Sequence, residues 1–248
     1  MFYTFDNIAN FRELGGIPTV DGHRVRSGLL FRCGELHKAS DADIARLSEG
    51  FHVSKIIDFR DTKETEIRTD REVPGAEYIS IPALPPMPAE PMSMMKDEHP
   101  LIPPQEMFPY VYRQLASSLE SEVAYRAFFD QLLHNDGKPV LWHCKQGKDR
   151  TGVAAILLLT ALGVRREEWM RDYMLTNEYM TRRYEEKYAS LSDEQEKEFR
   201  KIIMFVREDW LGQYLDIVEE KGGLLAFLHN QIGVTDAEIE QLKAMYLA

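Results

Sequence analysis

The chain has 248 residues, 44% hydrophobic and 29% charged, a globular composition with room for one large domain or one domain with an insertion. A formal net charge of −11 argues against general nucleic-acid binding, which needs a basic face, while a local cluster of donors can still hold an anionic substrate. The longest apolar run, residues 153–164, falls short of the roughly 18–20 residues of a spanning helix and is interrupted by Thr160 and Gly163, so no integral membrane association is expected.

In chain order, the N-terminal MFYTFDNIANFRELGG has neither the basic nor the apolar region of a signal peptide. With only Cys33 and Cys144, a disulfide framework is not expected. Both points favour a cytoplasmic location and leave unconventional export open. Residues 28–33 (GLLFRC) read as a strand. Ser40 is a good N-cap for a helix over 41–49. Residues 53–59 (VSKIIDF) read as a buried strand running into the polar cluster 58–61, and 77–81 (EYISI) as another strand. Residues 83–106 hold seven prolines, so regular structure is not expected through most of that stretch. With Met87, Met92, Met94 and Met95 it reads as a lid or recognition insertion, or equally as a plain surface loop.

Residues 109–133 carry apolar positions at helical spacing, 138–143 (KPVLWH) read as a strand, and an apolar helix follows, starting near Thr151. From 165 onward the pattern is helical and charged, over 166–190, 193–213, 214–221, 224–231 and 236–246, with Gly222, Gly223 and Gly233 as stops. No repeat and no interdomain linker is evident, so the chain reads as a single domain over 1–248. The alternation predicts an α/β fold: a central, mostly parallel sheet flanked by helices, with a helical C-terminal part.

The segment HCKQGKDRTG, residues 143–152, carries the chemistry. Cys144 and Arg150 are separated by five residues, an arc that can wrap a tetrahedral oxyanion with the N–H groups of Lys145, Gln146, Gly147, Lys148, Asp149 and Arg150 pointing inward. Gly147 permits the tight turn, and the following helix directs its positive end at the same place. A free thiol titrates near ~8.5, so such a loop must stabilise the thiolate as well as a phosphoryl group. Arg150 suits two equatorial oxygens as a planar fork. Thr151 can donate to the sulfur when it leaves. This predicts a nucleophilic cysteine that forms a phosphocysteine.

At these residues the chain resembles the bacterial tyrosine phosphatases whose loop reads HCxxGKDRTG, a group that includes enzymes acting on phosphoinositides. NFRELGG (10–16), GHRVRSGLLFRCGEL (22–36), IIDFRDTKE (56–64), DYMLTN (172–177) and GVTDAEIEQLKAMYL near the end resemble the family's flanking blocks in order. The resemblance implies a tyrosine-phosphatase-like fold with the cysteine loop at a strand's carboxyl end. It departs at Cys33, where the family has a small residue such as Ser, and at Phe59, where its block reads DLR. Near Cys144, Cys33 would form a protective disulfide under oxidation; the alternative is an inert buried thiol.

The general acid is open between Asp149, which resembles the family's loop aspartate, and Asp58, at the end of an apolar strand, whose alternative role is a structural carboxylate paired with Arg60 or Arg12. Asp97 and Glu98 are weaker candidates that need a closing lid. Lys148 reads as a second phosphate-seeking charge that favours inositol lipids, or as a solvated lysine; Lys145 faces the same choice. His143 is expected to support the loop, and Arg12 and Arg60 to form salt bridges around it. Three functions compete: a phosphotyrosine phosphatase, a phosphoinositide phosphatase using the same loop, and a phosphate-binding module with little catalysis. A rhodanese-type sulfur transferase fits the spacing less well. No cofactor is expected, and no His and carboxylate spacing in the sequence suggests a metal. The expected partners are a phosphorylated protein or lipid, with phosphate as product.

Overall fold

A computed structural model describes residues 3–85 and 103–248. Five strands form one sheet: β1 Arg12–Glu13, β2 Leu30–Cys33, β3 Lys55–Asp58, β4 Glu77–Ser80 and β5 Val140–His143. Their order is β1-β2-β5-β3-β4, with β1 antiparallel to β2 and the other neighbours parallel. This is the expected mostly parallel α/β architecture. The three central strands are buried throughout, as parallel strands covered on both faces must be. Side chains alternate between two cores: Leu30, Ile57, Val140 and Trp142 face the larger, while Phe31, Ile56 and Leu141 face the smaller, with Phe11 and Leu47.

The register sets the position of the site. Cys33 pairs with His143, His143 with Asp58, and Asp58 with Ser80, so the four parallel strands finish in one row. Polar residues cluster where those strands end, the usual place for a ligand in such sheets.

The helices are α1 Asp41–Ala45, α2 Thr62–Ile67, α3 Pro104–Ser117, α4 Leu119–Leu133, α5 Asp149–Ala161, α6 Arg166–Tyr188, α7 Glu194–Met204, α8 Glu208–Glu220, α9 Leu224–Phe227 and α10 Asp236–Tyr246. Helix α5 is buried almost all round, from Thr151 to Leu159. One sheet cannot cover such a helix. Helices α3, α4, α6, α9 and α10 close over it, which accounts for the long helical C-terminal part.

Several boundaries differ from the sequence reading. The pattern over 109–133 is two helices. Ser118 adopts extended backbone between them and accepts from the Ser121 N–H as the cap of α4. Helix α3 starts at Pro104, inside the stretch read as irregular. The helices read over 41–49 and 224–231 each finish as a π-helical turn, Arg46–Gly50 and Leu228–Ile232. Strand β1 and helix α2 were not expected. Most of the Pro- and Met-rich stretch, with Asp97, Glu98 and the lid reading, lies outside the described residues.

The expected helix over 193–213 is broken at 205–207, and the expected 214–221 belongs to α8. A tertiary clamp makes the break. The Asn177 side chain accepts from the Val206 N–H at 2.7 Å and donates to its carbonyl at 3.0 Å, occupying both backbone groups that a continuous helix would use. Asn177→Ala should therefore lower stability by about 1–3 kcal/mol. Denaturant titration should show a lower midpoint with an unchanged slope.

Candidate active site

The loop between β5 and α5 is shaped from behind. Asn10 Nδ2 donates to the carbonyls of Gln146 (3.2 Å) and Gly147 (2.8 Å). Arg32 Nη2 donates to the Gly147 carbonyl at 2.9 Å, and the Glu35 N–H to that of Lys145 at 3.2 Å. His143 Nδ1 lies 3.3 Å from the Cys144 carbonyl. The carbonyls of residues 144–147 thus all point into the scaffold. In a planar trans peptide the N–H points opposite its C=O, so the N–H groups turn to the concave side. Gly147 is needed twice over: its φ is +66°, and a Cβ there would lie 2.1 Å from the Cys33 carbonyl oxygen.

Positive charge surrounds Cys144. Cys144 is 2% exposed. A negative charge on its sulfur favours the charged forms of Arg32, Lys148 and Arg150. Arg12 and Arg32 share one carboxylate, Asp172, at 2.7 and 2.6 Å, so two buried guanidiniums are balanced by one charge beneath Gly147. The α5 N-terminus begins at Asp149 and adds its dipole.

Arg150 is oriented by Glu64, a residue the sequence reading missed. Its Nη1 donates to Glu64 Oε2 at 2.5 Å and to the Phe59 carbonyl at 3.3 Å, and its Nη2 donates to Glu64 Oε1 at 3.0 Å. Burial opposes the guanidinium's charge, but Glu64 outweighs it and raises the pKa above its ordinary value. Glu64 is itself fixed by a capping box with Asp61 at the start of α2. That D-x-x-E spacing was the available signal.

Asp149 Oδ1 accepts from Tyr112 Oη at 2.8 Å and from Lys148 Nζ at 2.9 Å. Lys148 is not the solvated lysine of the alternative reading. It is 1% exposed, with Nζ 3.8 Å from the centre of the Phe108 ring, and Phe108 stacks on Trp210. Burial lowers its pKa despite Asp149. Lys145 is exposed and Gln146 half-buried. Thr151 is buried, and its hydroxyl has no hydrogen-bond partner among the described residues.

The sequence model of the tyrosine phosphatase family matches residues 3–248. The chain belongs to that family. A Cupriavidus necator protein carrying the tyrosine-protein phosphatase name is 33% identical over 176 residues, covering 70% of this chain and 62% of that relative. The chain thus spans under two thirds of that relative's length. The triple specificity protein phosphatase PtpB of Mycobacterium tuberculosis is 23% identical, with 96% of both chains covered. The crystal structure of P. aeruginosa TpbA aligns with 79% of this chain and 90% of its own at 19% identity, with a TM-score of 0.29, too low to bear on the fold.

In this family member Asp58 is a buried hub. It accepts from the Arg60 backbone N–H (2.9 Å), from Arg60 Nε and Nη2 (2.9 and 2.7 Å), and from Tyr78 Oη (2.6 Å). Burial would raise its pKa, but His143 and Arg60 outweigh it and hold Asp58 down at about 2. Both oxygens are engaged, which corresponds to its alternative reading as a structural carboxylate paired with Arg60. Arg60 also reaches Asp70 at 2.6 Å and Glu35 at 3.2 Å. Arg12 pairs instead with Asp172. Cys33 and Cys144 are both free thiols, and burial pushes Cys33 well above its ordinary pKa.

Sequence spacing suggested no metal ligands, yet the fold brings Asp58, Asp70 and His143 within 4.8 Å of one another. The positive charge between the two carboxylates is the Arg60 guanidinium, so this donor set does not fit a further cation. His143 Nε2 lies 3.1 Å from Asp70 Oδ2 and Nδ1 lies 3.7 Å from Asp58 Oδ1. Burial would lower the imidazole's pKa, but these carboxylates raise it to about 9. The ring is then doubly protonated at neutral pH, and Nδ1–H donates to the Cys144 carbonyl.

Because the folded state binds this proton more tightly than the ordinary value of 6.5, the stabilisation is complete below about pH 6.5 and is lost as pH rises through about 9. Thermal unfolding should show the widest gap between wild type and His143→Gln below pH 6.5, closing above pH 9. A gap independent of pH would contradict the ion pairing.

Proposed function

We propose that the chain is a cysteine-dependent phosphatase that hydrolyses phosphate monoesters, with phosphotyrosine in proteins as its main substrate. The observation that carries this is the geometry around Arg150. Glu64 and the Phe59 carbonyl take both Nη1 donors and one Nη2 donor. That leaves the Nε and Nη2 edge as a two-toothed grip on the anion side, above inward-facing loop amides.

In the first step Cys144 Sγ attacks phosphorus and the ester P–O bond breaks. Asp149 gives its proton to the departing phenolate oxygen. Charge spreading over the equatorial oxygens is met by Arg150 and the loop amides, which need no rearrangement at that moment. In the second step Asp149 takes a proton from water as the water oxygen attacks phosphorus. The P–S bond breaks, the Thr151 hydroxyl donates to the departing thiolate, and phosphate leaves.

Asp149 is preferred to Asp58 because Asp58 is sealed in with Arg60 and Tyr78, whereas Asp149 is partly exposed. Lys148 bears on the substrate. The phosphoinositide reading asks it to bind a second phosphate, but here its ammonium is bonded to Asp149 beneath Phe108, which favours a single phosphate group. The name of the Mycobacterium tuberculosis relative, a triple specificity protein phosphatase, speaks for more than one class of substrate, and phosphoinositides remain the second reading. The intact Cys144, Asp149, Arg150 and Thr151 weigh against a mere binding module.

Turnover of phosphotyrosine peptides, phosphoserine peptides and phosphoinositides, measured side by side, tests the substrate reading: phosphotyrosine should give the highest kcat/KM, and a higher value for phosphoinositide would overturn it. Cys144→Ser should abolish turnover while substrate binding persists; full activity would overturn the mechanism. Glu64→Ala should lower kcat/KM roughly tenfold to a hundredfold by releasing the Arg150 fork, with Cys144 still present.

A further inference from the structure

Asp149 is held by more than its neighbour in the loop. Tyr112, from α3, and Tyr173, from α6, meet above the first turn of α5 with their hydroxyl oxygens 2.6 Å apart. Both rings are fully buried. Tyr112 Oη is also 2.8 Å from Asp149 Oδ1. A buried phenol costs stability unless its hydroxyl is paired, and a Phe would fill the same space without that demand.

The direction of the chain follows from counting protons. Tyr112 has one hydroxyl proton, and the carboxylate is its stronger acceptor. Tyr173 must therefore donate to Tyr112, and Tyr112 to Asp149. Lys148 Nζ donates to the same oxygen at 2.9 Å. Two donors on Oδ1 occupy both of its lone pairs, so the acid form of Asp149 carries its proton on Oδ2. Burial and the neighbouring Asp149 push the Tyr112 phenol well above its ordinary pKa, so it remains a donor throughout the working range.

We infer that Tyr112, held by Tyr173, is a positioning residue that fixes Oδ2 of Asp149 as the atom passing its proton to the leaving group. The inference rests on the reading of Asp149 as the general acid. Its hydroxyl meets Asp149 and Tyr173, and it acts through the orientation of the carboxyl group. The same two donors stabilise the carboxylate that must accept a proton from water in the second step. Without Tyr112 the carboxyl can rotate and share its proton between both oxygens, only one of which faces the leaving group.

The test is the dependence of kcat/KM on leaving-group pKa across a series of substituted phenyl phosphates. Asp149→Asn should steepen that dependence, because poor leaving groups need the proton most. Tyr112→Phe should steepen it in the same sense, losing about tenfold or more on the poorest leaving group and progressively less as the leaving group improves. Tyr173→Phe should produce a smaller change of the same kind. The Asp149→Asn, Tyr112→Phe double variant should be no worse than Asp149→Asn alone, because the two residues act as one unit. Tyr214→Phe serves as the control: it also removes a buried hydroxyl, but one with no hydrogen-bond partner among the described residues, and should leave the slope alone.

An equal loss across the whole series in folded Tyr112→Phe, or full additivity with Asp149→Asn, would overturn the positioning role. If Asp149→Asn steepens the series and neither tyrosine variant does, the inference fails and the acid assignment stands. If Asp149→Asn leaves the slope unchanged, the acid assignment falls and takes the inference with it. Should Tyr112→Phe fail to fold, the Tyr173→Phe slope decides.

Discussion

The carbonyl groups of residues 144–147 are held outward by His143, the Glu35 backbone, Asn10 and Arg32, and the rest of the site depends on that constraint. Once the carbonyls are tied back, the amides must line the cradle, and an anion bound there meets dipoles that are already aligned. The preorganisation is expensive: it buries Arg12, Arg32, Arg60 and His143 and requires a glycine at Gly147. A fold that needed only stability would have little reason to keep so many charges out of water, since buried ion pairs rarely repay their desolvation.

Those charges are arranged in two groups on either side of the loop. Arg12, Arg32 and Asp172 form a positively biased group beneath Gly147. Asp58, Arg60, Asp70, Glu35 and His143 form a group behind the strand ends, where carboxylates keep the imidazole charged. The sheet register makes this possible by finishing Cys33, His143 and Asp58 in one row. Over this base, α2 contributes Glu64 to Arg150, while α3 and α6 contribute Tyr112 and Tyr173 to Asp149. The helices that cover α5 therefore reach Asp149 through two phenols as well as through packing.

The legible part of this site is the part that is local in sequence. Cys144, Asp149, Arg150 and Thr151 lie within eight positions, and the strand and helix on either side announce themselves by unbroken apolar runs. The three central strands were legible for the same reason, because parallel strands buried on both faces need no partner to be recognised, whereas the two-residue β1 carries no such run. Contacts across long separations were not legible. Glu64 meets Arg150 over 86 positions, and Arg32 meets Asp172 over 140. Asp58 drew attention as the polar end of an apolar strand, but only the folded backbone shows Arg60 turning back onto it two residues later. The break at 205–207 was hidden because Asn177 makes it from another helix. Helix α2 is a different case: its capping box was present in the sequence, but the helix has no buried residue to give it a periodic signature.

The proposed mechanism turns on transfer of a phosphoryl group to the Cys144 sulfur in this cradle. The most direct measurement is acid quench of the protein during turnover of an aryl phosphate, followed by mass spectrometry of its peptides. A phosphoryl adduct confined to the peptide carrying Cys144 is expected, accumulating more in Asp149→Asn as hydrolysis of the intermediate slows and absent in Cys144→Ser. Steady turnover with an adduct on a different residue, or an adduct that survives Cys144→Ser, would contradict it.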